Sequence, residues 1–377
     1  MNRRKLLTTN QKGWTLVELM LVAAMIGIIT PAMTTLFIKV SQGMAADEMH
    51  TQLKTGNQQM LNRIHINLSA SRHFFMGDTS GVSFQAALSI LSSAPPTIAG
   101  DETLAQPQTS VSDSLGASVS DFEPGFIGNA ILFGAYDAPE TIINASGQAV
   151  IYLNSPMTVS GTFGGVTAID SAGTPKTLIV DLYRFYYYYQ TTQISHPIRG
   201  VTCTGLVEWQ SIRFADAFEL EDIADPVLQT NICHWLAEKG VTAGWDPSQT
   251  DPSQAFVTFG TSGAVALFAG QAGTYKIPQE QSLVLTRVSS GILSNGFGYG
   301  ICPNTIGWKD SPPIAVPQYA PTPTTAGAPF PGGFEIGVGG VSAGRKVLVR
   351  AAWVAKGASP KVEYNDISMV NAVRDVW

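Results

Sequence analysis

Apolar residues fall along this chain in two rhythms, and the change between them divides it. From Trp14 to Ile38 the sequence "WTLVELMLVAAMIGIITPAMTTLFI" is apolar almost without break, and Glu18 is its only charged residue. At 1.5 Å per residue, these 25 positions make roughly 37 Å of helix, enough to cross a bilayer core of about 30 Å. After Lys39 the run turns amphipathic. Val40, Met44, Met49, Leu53, Met60, Ile64 and Leu68 recur at steps of four, five and seven, the stripe of a helix with one face packed. The two patterns predict one helix over about 14–70, lipid-facing in its first half (14–38) and packed on a globular domain in its second (39–70). Pro31 lacks a backbone donor, so the sequence predicts a kink or local melting there.

Beyond the helix the pattern shortens. "AILFGAYD", "AVIYLN", "KTLIVDLYRFYYYYQ", "AFVTFG", "QSLVLTRVSS" and "KVLVRAAWVAK" alternate with turn residues and read as strands. A short helix is expected near the end of "RFADAFELEDIADPVLQTNICHWLAEKG". Residues 77–125 are rich in Ser, Thr, Ala, Gly and Pro and read as a long, partly ordered excursion. The proline-rich stretch 311–333 is excluded from any central strand, because proline has no donor for the ladder. The expectation is an α+β protein: a long N-terminal helix, then a β-rich domain over 71–377, with no internal repeat.

Composition agrees with an exported protein. Of 377 residues only 13% are charged, with 37 Gly and 22 Pro. The net charge is −6. Setting aside residues 1–13, which hold Arg3, Arg4, Lys5 and Lys12 and no acid, leaves 22 less 4, or 18, basic residues against 28 acidic ones. A balance of −10 argues against nucleic acid as a partner. The basic leader instead fits the positive-inside rule, with everything after Lys39 outside the cytoplasm. In that compartment the three cysteines, Cys203, Cys233 and Cys302, suggest one disulfide and one thiol. The sequence does not say which two pair; Cys203–Cys233, closing the shorter loop, is the first choice. A zinc site including Cys233 and His234 is disfavoured, since no CxxC pair is present.

Candidate sites are few. In "YRFYYYY", alternation sets Tyr183, Phe185, Tyr187 and Tyr189 on one strand face and Arg184, Tyr186 and Tyr188 on the other. A strand with one face in the core and hydroxyls at its rim is favoured over an aromatic binding surface. Asp216, Glu219, Glu221, Asp222 and Asp225 lack the spacing and turn glycine of a calcium loop and read as a solvated acidic face. The five histidines form no HExxH, and neither a GxSxG serine nor a phosphate loop is present. Nothing points to an enzyme, a metal or a cofactor.

The N-terminus carries the specific signal. A cleavable secretory peptide would have a shorter apolar core and a prompt small-residue cleavage site. A plain anchor leaves Glu18 unexplained, and an acid inside a membrane segment is by default functional. The basic leader ending in Gly13, followed by "WTLVELMLVAAMIG", resembles the signal of type IV prepilins and of the pseudopilins of type II secretion. The resemblance covers residues 3–38. It implies that a prepilin peptidase cuts between Gly13 and Trp14 and methylates the Trp14 amine, and that Glu18, the fifth mature residue, compensates the amine of a neighbouring subunit. Gly27 matches a glycine common in these helices. The chain departs from the pattern in having Trp14 where Phe is usual, and Pro31 a little early. By its length and "WTLVELM" start it looks most like the PilW-type minor pilins, with the J-type pseudopilin as alternative. A reading of a different class is a membrane-anchored adhesin or ligand-binding module with "YRFYYYY" and the proline-rich stretch as its contact surface. The resemblance further implies a type IV pilin-like fold and a start in the inner membrane with the C-terminal domain periplasmic. Its partners would be other major and minor pilins and the inner-membrane assembly platform, before incorporation into a filament.

Overall fold

The computed structural model describes most of residues 14–75, 130–137, 170–259 and 333–373, with short further stretches between them. It has a long N-terminal helix and a mixed, mostly antiparallel β domain, an α+β arrangement. Helix α1 runs from Leu16 to Ser69, 54 residues and about 80 Å. It continues unbroken through Pro31, so the local melting expected there is absent. One missing donor interrupts one bond of a long ladder. Just beyond it the hydroxyls of Thr34 and Thr35 donate to the carbonyls of Thr30 and Pro31, both at 2.8 Å.

Only the second half of α1 packs on the domain. Met49, Leu53, Met60, Leu61, Ile64 and Leu68 are buried, whereas Val40 and Met44 are exposed. The packed stripe therefore begins two to three turns later than the sequence pattern suggests, because the sheet reaches only as far as Met49.

The sheet is built from β1 (Ser71–Phe75), β2 (Ala130–Tyr136), β3 (Leu182–Ile198), β4 (Val201–Gln210), β5 (Phe214–Asp216) and, after helix α2 (Pro226–Glu238), β6 (Ala243–Trp245) and β7 (Phe256–Phe259). It is completed by β8 (Gly298–Ile301), β9 (Phe334–Gly339), β10 (Arg345–Lys356) and β11 (Val362–Val373). The main order is β1–β2–β3–β4–β8–β10–β11, antiparallel throughout. β9 shares with β8 the edge of β10 that β11 leaves open. β5 and β6 form the parallel pair that makes the sheet mixed.

Both faces of the sheet are covered. On the α1 side, Phe74, Phe133, Tyr186, Tyr188, Val349 and Trp353 meet the helix stripe. On the other side, Phe75, Tyr183, Phe185, Tyr187, Tyr189, Trp209 and Trp245 form an aromatic cluster. The "YRFYYYY" run thus alternates as expected, but both its faces are core; Arg184 alone is part-exposed. Two glycines permit close approach. A Cβ on Gly134 would lie 2.7 Å from the Trp245 ring, and one on Gly56 would lie 3.1 Å from Trp353.

Polar groups fix the helix on the sheet. Glu208, fully buried on β4, receives a fork of two bonds from Arg63 of α1, at 2.6 and 2.7 Å. Tyr188 Oη donates to the same carboxylate at 2.9 Å and itself accepts from Asn67 Nδ2 at 2.6 Å. Further along, Asn57 donates to the Ala351 carbonyl at 2.9 Å and to Asn365 Oδ1 at 2.8 Å. Removing Arg63 would leave a buried carboxylate without its cation. Arg63→Met should lower unfolding free energy by about 3 kcal/mol, the lower end for breaking a buried pair because Arg63 is part-exposed. Adding Glu208→Gln should restore part of that loss, and urea unfolding of both variants measures the difference.

Candidate functional site: the uncovered end of the helix

Residues 14–44 touch little else among the described residues. Trp14, Leu16, Leu19, Met20, Ile26, Ile28, Met33, Leu36, Phe37 and Met44 are all more than half exposed. An apolar surface of this size is costly in water. The helix is long and apolar enough to cross a membrane, and its most apolar window makes no burying contact with the domain. The N-terminal helix is a candidate membrane span or signal anchor.

Glu18 sits in the first turn of this surface, within a capping box. Thr15 Oγ1 accepts from the Glu18 backbone N–H at 3.3 Å, and Glu18 Oε2 accepts from the Thr15 backbone N–H at 2.9 Å. Thr15 Oγ1 also donates to Glu18 Oε2 at 3.0 Å. The box satisfies donors that a helix start otherwise leaves open. The carboxylate is therefore held beside the N-terminus of its own helix, where the helix dipole favours a negative charge. No ion pair among the described residues reaches it. Thr15 is the partner that the resemblance alone does not single out, although T-x-x-E before an apolar run carries the signal.

The remaining candidates fall elsewhere. Gly13 lies outside the described residues, and Trp14 is the first residue within them, exposed. Gly27 is helical, with nothing within 4 Å of where a Cβ would stand. The first-choice disulfide is not formed. Cys203, on β4, packs against Val354, while Cys233, on α2, packs in a separate cluster with Leu228, Ile232 and Leu236. Burial in different clusters keeps them from each other; Cys302 lies outside the described residues.

The acidic group disperses. Asp216 is buried and accepts from Tyr183 Oη at 3.0 Å. Asp225 caps α2, accepting from the hydroxyl and backbone N–H of Ser171 and from the backbone N–H groups of Leu228 and Val227, and these bonds hold its carboxyl down to about 2. The carboxyl of Glu221 is pushed up by burial and by Asp246 and Asp222. His50 lies 3.8 Å from Glu363, and His65 bonds to Asn371, both along the seam between helix and sheet. Among the described residues no three metal-ligating side chains come together. The proline-rich stretch 311–332 and most of 77–125 lie outside the described residues.

The chain matches no family model, no curated protein and no solved structure.

Burial pushes the thiols of both Cys203 and Cys233 up to about 12. Thiolate is the reactive form, so at pH 8 its population should fall about a thousandfold below that of an ordinary cysteine. Iodoacetamide at pH 8 should leave Cys233 unmodified in the folded protein and label it after denaturation without reductant. Mass mapping of the labelled peptides reads the outcome.

Proposed function

We propose that this protein is a minor pilin of a type IV filament. It is held first in the inner membrane by α1, with its β domain periplasmic, and then drawn into a filament through the same helix. The observation that carries the reading is Glu18, a single carboxylate on an otherwise apolar half-helix that the other described residues leave uncovered. Bilayer lipid can cover such a surface, and so can a bundle of like helices. Lipid alone gives the carboxylate no counter-charge. A neighbouring subunit with a free N-terminal amine gives it one, and two opposite charges removed from water are tolerated far better together than singly.

On this reading Gly13 ends the leader, prepilin peptidase exposes and methylates the amine of Trp14, and Glu18 makes the assembly contact. The partners are other pilins and the inner-membrane platform that assembles them. The protein acts by assembly rather than catalysis. A J-type pseudopilin of type II secretion would use the same helix in the same way. The adhesin reading loses its aromatic contact surface, since Tyr183, Phe185, Tyr186, Tyr187, Tyr188 and Tyr189 are all buried.

Two measurements test the proposal. Intact-mass analysis should find Trp14 as the N-terminus; retention of Met1, or cleavage beyond Ile38, would overturn it. The second compares the protein in sheared filaments with that in the membrane. Glu18→Ala should still insert, but the stranded amine should lower its share of the filament by about two decades. Glu18→Gln separates charge from capping, because glutamine can also complete a capping box. If both variants fail to assemble, the charge is what matters. If Glu18→Gln assembles normally, Glu18 is only a helix cap and the proposed contact is wrong.

A further inference from the structure

The two ends of the main sheet are finished differently. β1 is short, at five residues, carries Arg72, and its register with β2 shifts between Ser71 and His73. Shortness, charge and a bulge are devices that protect a sheet edge from pairing with another chain. β11 is neither short nor bulged and carries no basic residue. It runs twelve residues, in unbroken register with β10 from Lys356↔Val362 to Arg345↔Val373. It holds no proline, lysine or arginine; its only charges are Glu363 and Asp366, and Arg350 already binds Asp366 in a fork. Among the described residues, β10 is the only strand paired with β11. Every second residue of an antiparallel strand turns its N–H and C=O away from its partner, so from Asp366 onward β11 turns such groups to an outer edge that no described strand pairs.

The strand is also held rigid. Asn365 and Asn371 are bonded to Asn57 and His65 of α1, and Ile367 and Met369 pack against the helix-side core. Asp366, Ser368, Val370 and Ala372, on the opposite face, are exposed. A template already ordered loses little entropy when a strand joins it.

We infer that the outer edge of β11 is a docking edge, where an extended segment of a different protein chain adds as one more antiparallel strand. Main-chain bonds would hold it. The segment is largely uncharged and alternates apolar with small or polar residues, its apolar row continuing that of Ile367 and Met369.

A second copy of this chain is the obvious rival, and the helix argues against it. His50 meets Glu363, Asn57 meets Asn365 and His65 meets Asn371, so α1 and β11 run in the same direction. Two copies paired β11 to β11 by a two-fold axis would have antiparallel strands, and hence antiparallel helices. Their apolar halves would leave the pair at opposite ends and could not enter one membrane. The sheet's other outer strands are too short to match twelve residues: β1 has five, Thr109–Ser110 two and Val265–Leu267 three. The inference uses the membrane placement of α1 but not its role in a filament.

The test places a photoreactive side chain at Ser368, Val370 or Ala372 of the full-length protein in its native membrane, with exposed Gln249 as the control site. The expected result is a cross-link to one other protein, at a yield about tenfold above the control. The reacted residue on that protein should step back by two for each advance of two along β11. Val370→Lys puts a lysine at the edge without touching the core, and should reduce cross-linking from Ser368 several-fold while the urea midpoint stays unchanged. Yield no higher than at Gln249 would overturn the inference. So would attachment to a second copy or within the same chain, a forward-stepping pattern, or indifference to Val370→Lys. The filament reading fails separately, if Met1 is retained while the backward-stepping pattern is still observed.

Discussion

The structure depends on one seam, where the second half of α1 lies against the sheet. Hydrophobic burial supplies most of its strength, since Met49, Leu53, Met60, Leu61, Ile64 and Leu68 all enter the core that β2, β3, β9 and β10 share. Burial alone would let a helix slide or rotate on a smooth apolar surface. The polar groups prevent that. Arg63 must meet Glu208, and Asn57 must meet Ala351 and Asn365, so the helix has one register on the sheet. Gly56 contributes by leaving room for Trp353 against the helix backbone. Because the seam involves strands distant in sequence, it also closes the domain, joining residues near 60 to residues near 210 and 360.

How far the sequence discloses this depends on whether a feature is local. The helix is local: the apolar run, the stripe and the T-x-x-E start are all readable, and Leu16–Ser69 falls within two residues of the reading at each end. Ala130–Tyr136, Phe256–Phe259 and Arg345–Lys356 are likewise legible as short apolar strands. Val201–Gln210 and Val362–Val373 are not. The first carries Glu208 on a buried face, and the second mixes Asn, Asp and Ser into its alternation. Their polar residues look like loop residues until the partners across the seam are known. The same holds for the tyrosine run. Alternation gives its two faces, but no pattern within one strand can reveal that both are covered, because the second cover comes from Phe75, Trp209, Trp245 and Phe256.

The cysteines teach a similar lesson. Loop length ranks possible pairings by the entropy of the unfolded chain, which says nothing about where the thiols stand in the folded one. Cys203 is fixed by its strand and Cys233 by its helix, and each is enclosed by its own neighbours.

The seam also accounts for what is left exposed. It ends at Met49, and above that point α1 projects for about 30 residues that the described residues leave largely uncovered, some 45 Å of helix. That exceeds the roughly 30 Å of a bilayer's hydrocarbon core, so lipid covers most of the projection but not all of it. Val40 and Met44 lie in the excess, between the lipid-facing run and the packed stripe. Apolar side chains placed there are not explained by anchoring, nor by the chain's own fold. They are explained if the whole projecting helix is eventually covered by other helices rather than by lipid, and the same cover would supply Glu18 with its counter-charge. The exposed pair Val40 and Met44 and the lone carboxylate thus favour the same occupant from opposite ends of the segment, one by surface area and the other by charge.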